Sequence, residues 1–336
     1  VATSTGCKRT PRREAILESL VSDVVLDENR EALAQSRELE AKTEELMKAP
    51  SPDALKATRQ AWKRAAIAWK RASAFSLGPP VESGALSQAT YFPARKAALD
   101  KLLTETSPVS RELVQELGSD VKGVYGLEEL LFDGRTPAPV RVAGESGDRA
   151  RLLAGAFASD LVALSESTLV ALGEPGQGFS KKFAAEGHES VSRLVNQMIE
   201  ATETMAEGRL SLVLWMDKVN RLEPRDVEGF TSGISHELQL ALLLGLQRLY
   251  RGGTGGGISD LTSAIAPPIA ERVERAFEHA VGQMRHLGRP LERLVKEDRA
   301  KLESALGAVK ELEVAIKADM ASALSVTLTF RSGDGD

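Results

Sequence analysis

From Arg13 to about Ala49, apolar residues recur every three or four positions among charged ones, with Leu17, Leu20, Val24 and Val25 early and Leu33, Leu39 and Leu46 later. That interval keeps one stripe of a helix apolar, so it predicts a long amphipathic helix, bent near Asp27. Pro50-Ser51-Pro52 interrupts it, and Ser51 offers a capping oxygen to a second helix over about Asp53 to Phe75. Gly78-Pro79-Pro80 ends that one. Further helices are predicted over about Pro93 to Thr106 and Pro108 to Phe132, making about four in the first half.

Gly134 to Gly147, rich in Pro and Gly at its start, reads as a linker. Helical periodicity resumes at about Asp148 to Leu172, Gly187 to Arg209 and Ser211 to Asn220. Leu238 to Tyr250 is apolar on nearly every side, which implies burial on most sides. Arg251 to Gly257 carries five glycines and reads as a surface loop. Two amphipathic helices are expected after it, over about Ile258 to Leu287 and Pro290 to Ala323. Ser325 to Phe330 alternates strictly, placing Val326, Leu328 and Phe330 on one face of a strand. A lone strand needs a partner, and Pro139 to Ala143 matches best in pattern.

The resulting expectation is an all-α chain of two four-helix-bundle-like domains with a short β element formed by the linker and the C-terminal strand. Residues 1–12 are a flexible arm, 13–134 the first bundle, 135–147 the linker, and 148–336 the second bundle with terminal strand 325–330. Gly126-Leu-Glu-Glu-Leu-Leu can be laid on Gly245-Leu-Gln-Arg-Leu-Tyr, with Glu128 opposite Gln247. This echo raises an internal duplication as one reading, and chance in a Leu-rich helical chain as the other.

Length agrees with two domains, since 336 residues exceed what one hydrophobic core usually holds. Hydrophobic residues at 42% and charged residues at 27% are typical of a folded globular chain. Lys and Arg total 43 against 48 Asp and Glu, so no global basic field exists and nucleic acid is not an expected partner. No run of eighteen apolar residues suggests a membrane span. The single cysteine, Cys7, leaves no internal disulfide and no Cys-based zinc site. Cys7 follows Thr5-Gly6 and precedes a polar, basic stretch, as the first mature residue of a bacterial lipoprotein does. A lipid anchor at Cys7 is therefore the expected membrane contact; a free thiol on the arm is the alternative.

Candidate chemistry concentrates in Gly123-Val-Tyr-Gly-Leu-Glu-Glu-Leu-Leu-Phe. Tyr125 and Glu128, three apart, share a helix face, and a phenol with a carboxylate can bind a hard cation, share a proton or hold a polar ligand. Gly123 and Gly126 weaken a helix by about 1 kcal/mol each, a cost tolerated where backbones or a ligand come close. The plain alternative is an interior Tyr whose hydroxyl is satisfied nearby. Trp62 and Trp69 lie seven apart on one helical stripe; they read as core, or as part of a basic, aromatic anion-binding helix with Lys63, Arg64, Lys70 and Arg71. Ser235 is a candidate cap before His236 and Glu237. His279 and His286 read as surface or interhelical contacts. No His-x-x-x-His pair, phosphate loop or Gly-x-Ser-x-Gly elbow occurs.

Taken in order, Trp62, Trp69 and Phe75-Ser-Leu-Gly-Pro79, then Tyr91-Phe-Pro-Ala-Arg95, the Gly123 segment, Ser232-Gly-Ile-Ser-His236, a Gly-rich loop and terminal Val326-Thr-Leu-Thr-Phe-Arg-Ser-Gly-Asp-Gly-Asp336 resemble the imelysin family. The resemblance covers nearly the whole chain. It implies two helical-bundle-like domains, a bacterial periplasmic or cell-envelope location often as a lipoprotein, and association with iron acquisition. The family's founding members were described as insulin-cleaving metallopeptidases, with the signature Gly-x-His-x-x-Glu. Here that signature falls on Gly123, Tyr125 and Glu128, so Tyr replaces His. Ala66 and Ser73 stand where the family commonly has Arg and Glu on the Trp helix.

The resemblance therefore implies a non-catalytic envelope protein that binds a ligand between its bundles. Iron, an iron-bearing molecule or another divalent metal is the implied cofactor, with Tyr125 and Glu128 as ligands if one binds. Trp62, Trp69, Ser73, Arg95, Asp100, Glu129 and His236 are candidate helpers, and envelope iron-uptake components are candidate partners. An imelysin-type metallopeptidase and a partner-binding module that uses its terminal strand remain alternatives.

Overall fold

A computed structural model describes residues 13–132, 147–173 and 178–329. Among these the chain is all-α, with no strand. The expected long first helix forms as α1 (Arg13–Ser19), a π-helical turn at Leu20–Val25, and α2 (Leu26–Lys48). The extra residue of that turn shifts the apolar stripe between α1 and α2. Ser51 caps α3 (Pro52–Ala72), its side-chain oxygen accepting the Ala54 N–H at 3.1 Å. Such a cap contributes about 1 kcal/mol.

The helix expected over Pro108 to Phe132 is instead two pieces, Arg111–Glu116 and α4 (Gly123–Phe132). Gly118 and Gly123 punctuate the break, and Gly123 adopts φ +68°. A Cβ there would lie 2.5 Å from the Gln88 carbonyl oxygen, so the glycine is required both by its backbone angle and by close backbone approach. Later helices are α5 (Asp148–Leu172), α6 (His188–Met205), α7 (Ser235–Arg251), α8 (Pro267–Leu287) and α9 (Arg299–Val314). The helix expected over Ile258 to Leu287 breaks at Ala266, because Pro267-Pro268 can start a helix but cannot continue one. Asp298 opens α9 in the manner of Ser51, its carboxylate accepting the Lys301 N–H at 3.4 Å. Helix α5 is long and apolar enough to cross a membrane, yet half of its apolar window is buried inside the fold.

Two hydrophobic cores form, and they do not divide at the expected linker. The first gathers Leu39, Leu46, Trp62, Trp69, Leu127, Leu131, Phe157 and Leu161, so α5 packs with α2 and α4 of the preceding half. The second gathers Phe183, Met198, Tyr250, Phe277 and Leu312, and takes Ile16 to Leu26 and Phe75 from the start of the chain. Helix α7 reaches both: Leu238 lies in the first core, and Leu243, Leu246 and Tyr250 in the second. Burial against two cores is the reason its sequence is apolar on nearly every side.

The terminal segment differs from the expected strand. Val326 and Leu328 do pack on the second core, but Thr327 and Thr329 pair with a side chain. The Asn196 amide donates to Thr327 O at 2.9 Å and accepts from Thr329 N at 3.0 Å, supplying both bonds that a neighbouring strand would. The arm with Cys7, most of the linker including Val140-Arg-Val, and Phe330 lie outside the described residues.

Candidate functional site

Positive φ at Gly123 starts α4 at an angle that sends Tyr125 and Glu128 toward the loop before α7. Both side chains line a cleft of about 480 Å³. Its aromatic wall includes Phe92, which meets the Tyr125 ring edge-on at 5.2 Å, and Phe230. Its rim carries three ion pairs: Arg95 with Asp120 at 2.9 Å, Lys96 with Glu129 at 3.5 Å, and Arg225 with Glu223 at 3.0 Å.

Behind Tyr125 sits a buried polar cluster centred on Glu228. Lys70, from α3, places its ammonium 2.7 and 2.8 Å from the two Glu228 oxygens. Gln239 from α7 donates at 2.9 Å, Arg209 approaches at 3.3 Å, and the Tyr125 hydroxyl donates to Oε1. Arg209 also lies 5.5 Å over the Phe92 ring. Burial works to raise the pKa of Glu228, and the Lys70 and Arg209 cations overcome it, holding the carboxyl down at about 2 and therefore ionised. For Lys70 burial wins over Glu228 and lowers its pKa. For Tyr125 burial and the adjacent Glu228 charge act together, raising its pKa well above the ordinary value. Tyr125 is thus a neutral donor.

Glu128 occupies a different environment. Its Oε1 accepts both the Ser232 N–H at 2.9 Å and the Ser232 hydroxyl at 2.8 Å. Burial outweighs these bonds, aided by the Glu129 and Glu228 charges, and pushes the carboxyl up to about 7.

The other anticipated residues divide between cleft, core and surface. Arg95 and Glu129 line the cleft. Trp62 and Trp69 belong to the core: Trp62 donates to Val124 O at 2.8 Å, and Trp69 to the Ser36 hydroxyl at 3.0 Å. Ser73 donates to Lys70 O at 2.7 Å near the end of α3 and does not reach the cleft. Asp100 is exposed, and His236 is half-buried with its pKa lowered by burial; neither lines the cleft. Ser235 does not cap its own helix. Its hydroxyl instead accepts the Leu291 N–H at 2.8 Å and donates to Glu292 at 2.7 Å, tying α7 to the segment before α9.

Sequence reading passed over Arg209, Glu228 and Gln239, took Lys70 only as one charge of a basic helix, and used Ser232 only as part of a motif. Lys70 adjoins Trp69 on a helix whose other charges look solvated, and Glu228 sits in a loop. Nothing in the local pattern marks either as buried.

The sequence profile of the family described as Imelysin matches residues 25–316. The chain belongs to the imelysin family. An imelysin-like protein from Psychrobacter arcticum 273-4 is 19% identical with TM-score 0.76, covering 95% of this chain and 97% of its own. A protein named as a putative iron-regulated protein A precursor, from Parabacteroides distasonis ATCC 8503, is 13% identical with TM-score 0.77 and the same coverages. At these identities the two structures show the shared fold. No curated protein sequence matches the chain.

A metal does not fit this imelysin site as it stands. A zinc hydrolase uses about three protein ligands and leaves one position open for water. Among the described residues no three His, Cys, Asp or Glu side chains converge to hold an ion. Ligation of iron by Tyr125 needs its phenolate, which burial and Glu228 oppose. Glu228 is already neutralised by the Lys70 ammonium, a cation built into the chain.

Proposed function

We propose that this imelysin is a non-catalytic ligand-binding protein of the bacterial cell envelope that serves iron uptake. The observation that carries this reading is the Glu228 cluster: Tyr125 stands at the signature His position and donates to a carboxylate already paired with Lys70. With a neutral phenol and an internal ammonium in that place, the site lacks the means to activate water on a metal. The cleft beside it, concave and partly aromatic, has the character of a small-molecule site. The iron and envelope parts of the reading are supported by family resemblance and by the name of the Parabacteroides protein. A lipid anchor at Cys7 and association with envelope iron-uptake components complete it.

The test is metal content by mass spectrometry after exposure to iron, zinc, manganese and calcium, together with insulin cleavage with and without chelator. Metal well below one equivalent, unchanged in Glu128→Ala, and no cleavage are expected. Tyr125→His alone should gain no tight metal, because Lys70 and Arg209 remain on Glu228. Near-stoichiometric metal lost in Glu128→Ala, or chelator-sensitive cleavage, would overturn the reading.

A further inference from the structure

The charges lining the cleft do not balance. Arg95, Lys96 and Arg225 are each matched by one carboxylate, from Asp120, Glu129 and Glu223. Glu128 is the lining acid left without a cation among the described residues. The residue is only 4% exposed, and both of its hydrogen bonds fall on Oε1. The Ser232 donors therefore fix the carboxyl plane and leave Oε2 without a partner among the described residues. Because Glu128 lines the cleft, that oxygen is open to a donor carried by a ligand.

The donor's charge follows from its surroundings. Glu129 on the same helix and Glu228 behind Tyr125 both add negative potential at Glu128. The Lys96 ammonium is taken by Glu129, and the Lys70 and Arg209 cations face Glu228. An incoming anion would meet Glu128 unpaired, whereas Glu129 is matched by Lys96 and Glu228 by Lys70 and Arg209. An incoming ammonium would meet one unpaired carboxylate in a cleft whose wall includes Phe92 and Phe230. We infer that the cleft binds a small organic amine, its ammonium on Glu128 Oε2 and its apolar body against Phe92 and Phe230. This rests on the ligand-binding reading above and names the ligand class.

Calorimetric titration of the full chain, in excess EDTA, tests it with phenethylamine, 2-phenylethanol and 3-phenylpropanoate. These probes carry one aromatic body with an ammonium, a hydroxyl or a carboxylate. Saturable binding of the amine is expected, with the alcohol and the carboxylate weaker by about tenfold or more. Glu128→Gln should weaken the amine by a similar factor and leave the alcohol unchanged. No saturable amine binding, a carboxylate as tight as the amine, or an unaffected Glu128→Gln would each overturn the inference. The probe series on the unaltered chain decides the matter even if the variant fails to fold. Absence of amine binding in a chain that takes no metal and cleaves no peptide ends this inference alone. Amine binding that appears only when zinc or iron replaces EDTA ends it together with the non-catalytic reading.

Discussion

Glu128 and Glu228 are both buried carboxylates, and their different partners give them opposite properties. Glu228 has cations on both oxygens and stays ionised; Glu128 has only the neutral Ser232 donors and is pushed up to about 7. Unfolded, the Glu128 carboxyl returns to its ordinary value of 4.5. Between about 4.5 and 7 the folded chain keeps a proton that the unfolded chain has released, so this group makes stability fall as pH rises through that window. The full penalty is on the order of 3 kcal/mol, from about 2.5 pH units at about 1.4 kcal/mol each. Glu128→Gln keeps an acceptor for Ser232 and carries no charge. It should therefore be more stable than the unaltered chain by up to about 3 kcal/mol at about pH 8, with the gap closing toward about pH 5. Urea melts at the two pH values check this, and equal stability at the higher one would count against a strained carboxyl. A gain of stability on removing a charge is what a residue kept for binding should show.

At the scale of elements, the site depends on where α4 begins. Gly123 turns the chain with φ +68° while its α-carbon faces the Gln88 and Ala89 carbonyls, and only then do Tyr125 and Glu128 reach the cleft. Gly123→Ala adds a left-handed strain of about 1–2 kcal/mol. It also adds a backbone clash at 2.5 Å that flexible side chains cannot relieve. The expected loss is about 3 kcal/mol or more, placing it among the severe single substitutions. Gly282, inside α8, has open space around its missing Cβ. Gly282→Ala should gain up to about 1 kcal/mol from helix propensity. Denaturant melts of the pair separate the two effects, and similar behaviour of both variants would show that the Gly123 geometry is not required. The π-helical turn at Ala206–Ser211 has a comparable role, since it carries the Arg209 that meets Glu228.

For the whole molecule, two cores share the elements that cross them. The first long helix feeds Ile16 to Leu26 into one core and Leu39 and Leu46 into the other, and α7 reaches both. The Glu228 cluster joins α3, α4 and α7 close to where those cores meet. Unfolding either core would expose apolar faces of helices that the other holds in place, so the chain should melt in one transition. Buried Trp62 and Trp69 report on the first core by fluorescence, while far-UV circular dichroism reports on helices of both. Coincident curves are expected. A fluorescence transition well separated from loss of helix would show two independent units.

Local pattern was enough to determine the all-α class, most helix positions, the Ser51 cap and the segment holding the cleft residues Tyr125 and Glu128. Periodicity, capping and breaking residues act within a few positions of one another, so they are legible along the chain. The same reasoning offered a core as one reading of Trp62 and Trp69, beside the helper role that their burial overturns, and gave Val326 and Leu328 a shared packed face. It was silent on which cation meets which carboxylate. Lys70 and Glu228 are 158 residues apart, and Tyr125 and Glu228 103 apart. Lys70 looks like any solvated lysine on an amphipathic helix until the fold buries it against Glu228. Likewise only packing made α7 common to two cores and gave Thr327 and Thr329 a side-chain amide in place of a strand. Burial and ion pairing depend on distances in space between residues remote in sequence, and those distances decided that the Lys70 ammonium meets the Glu228 carboxylate.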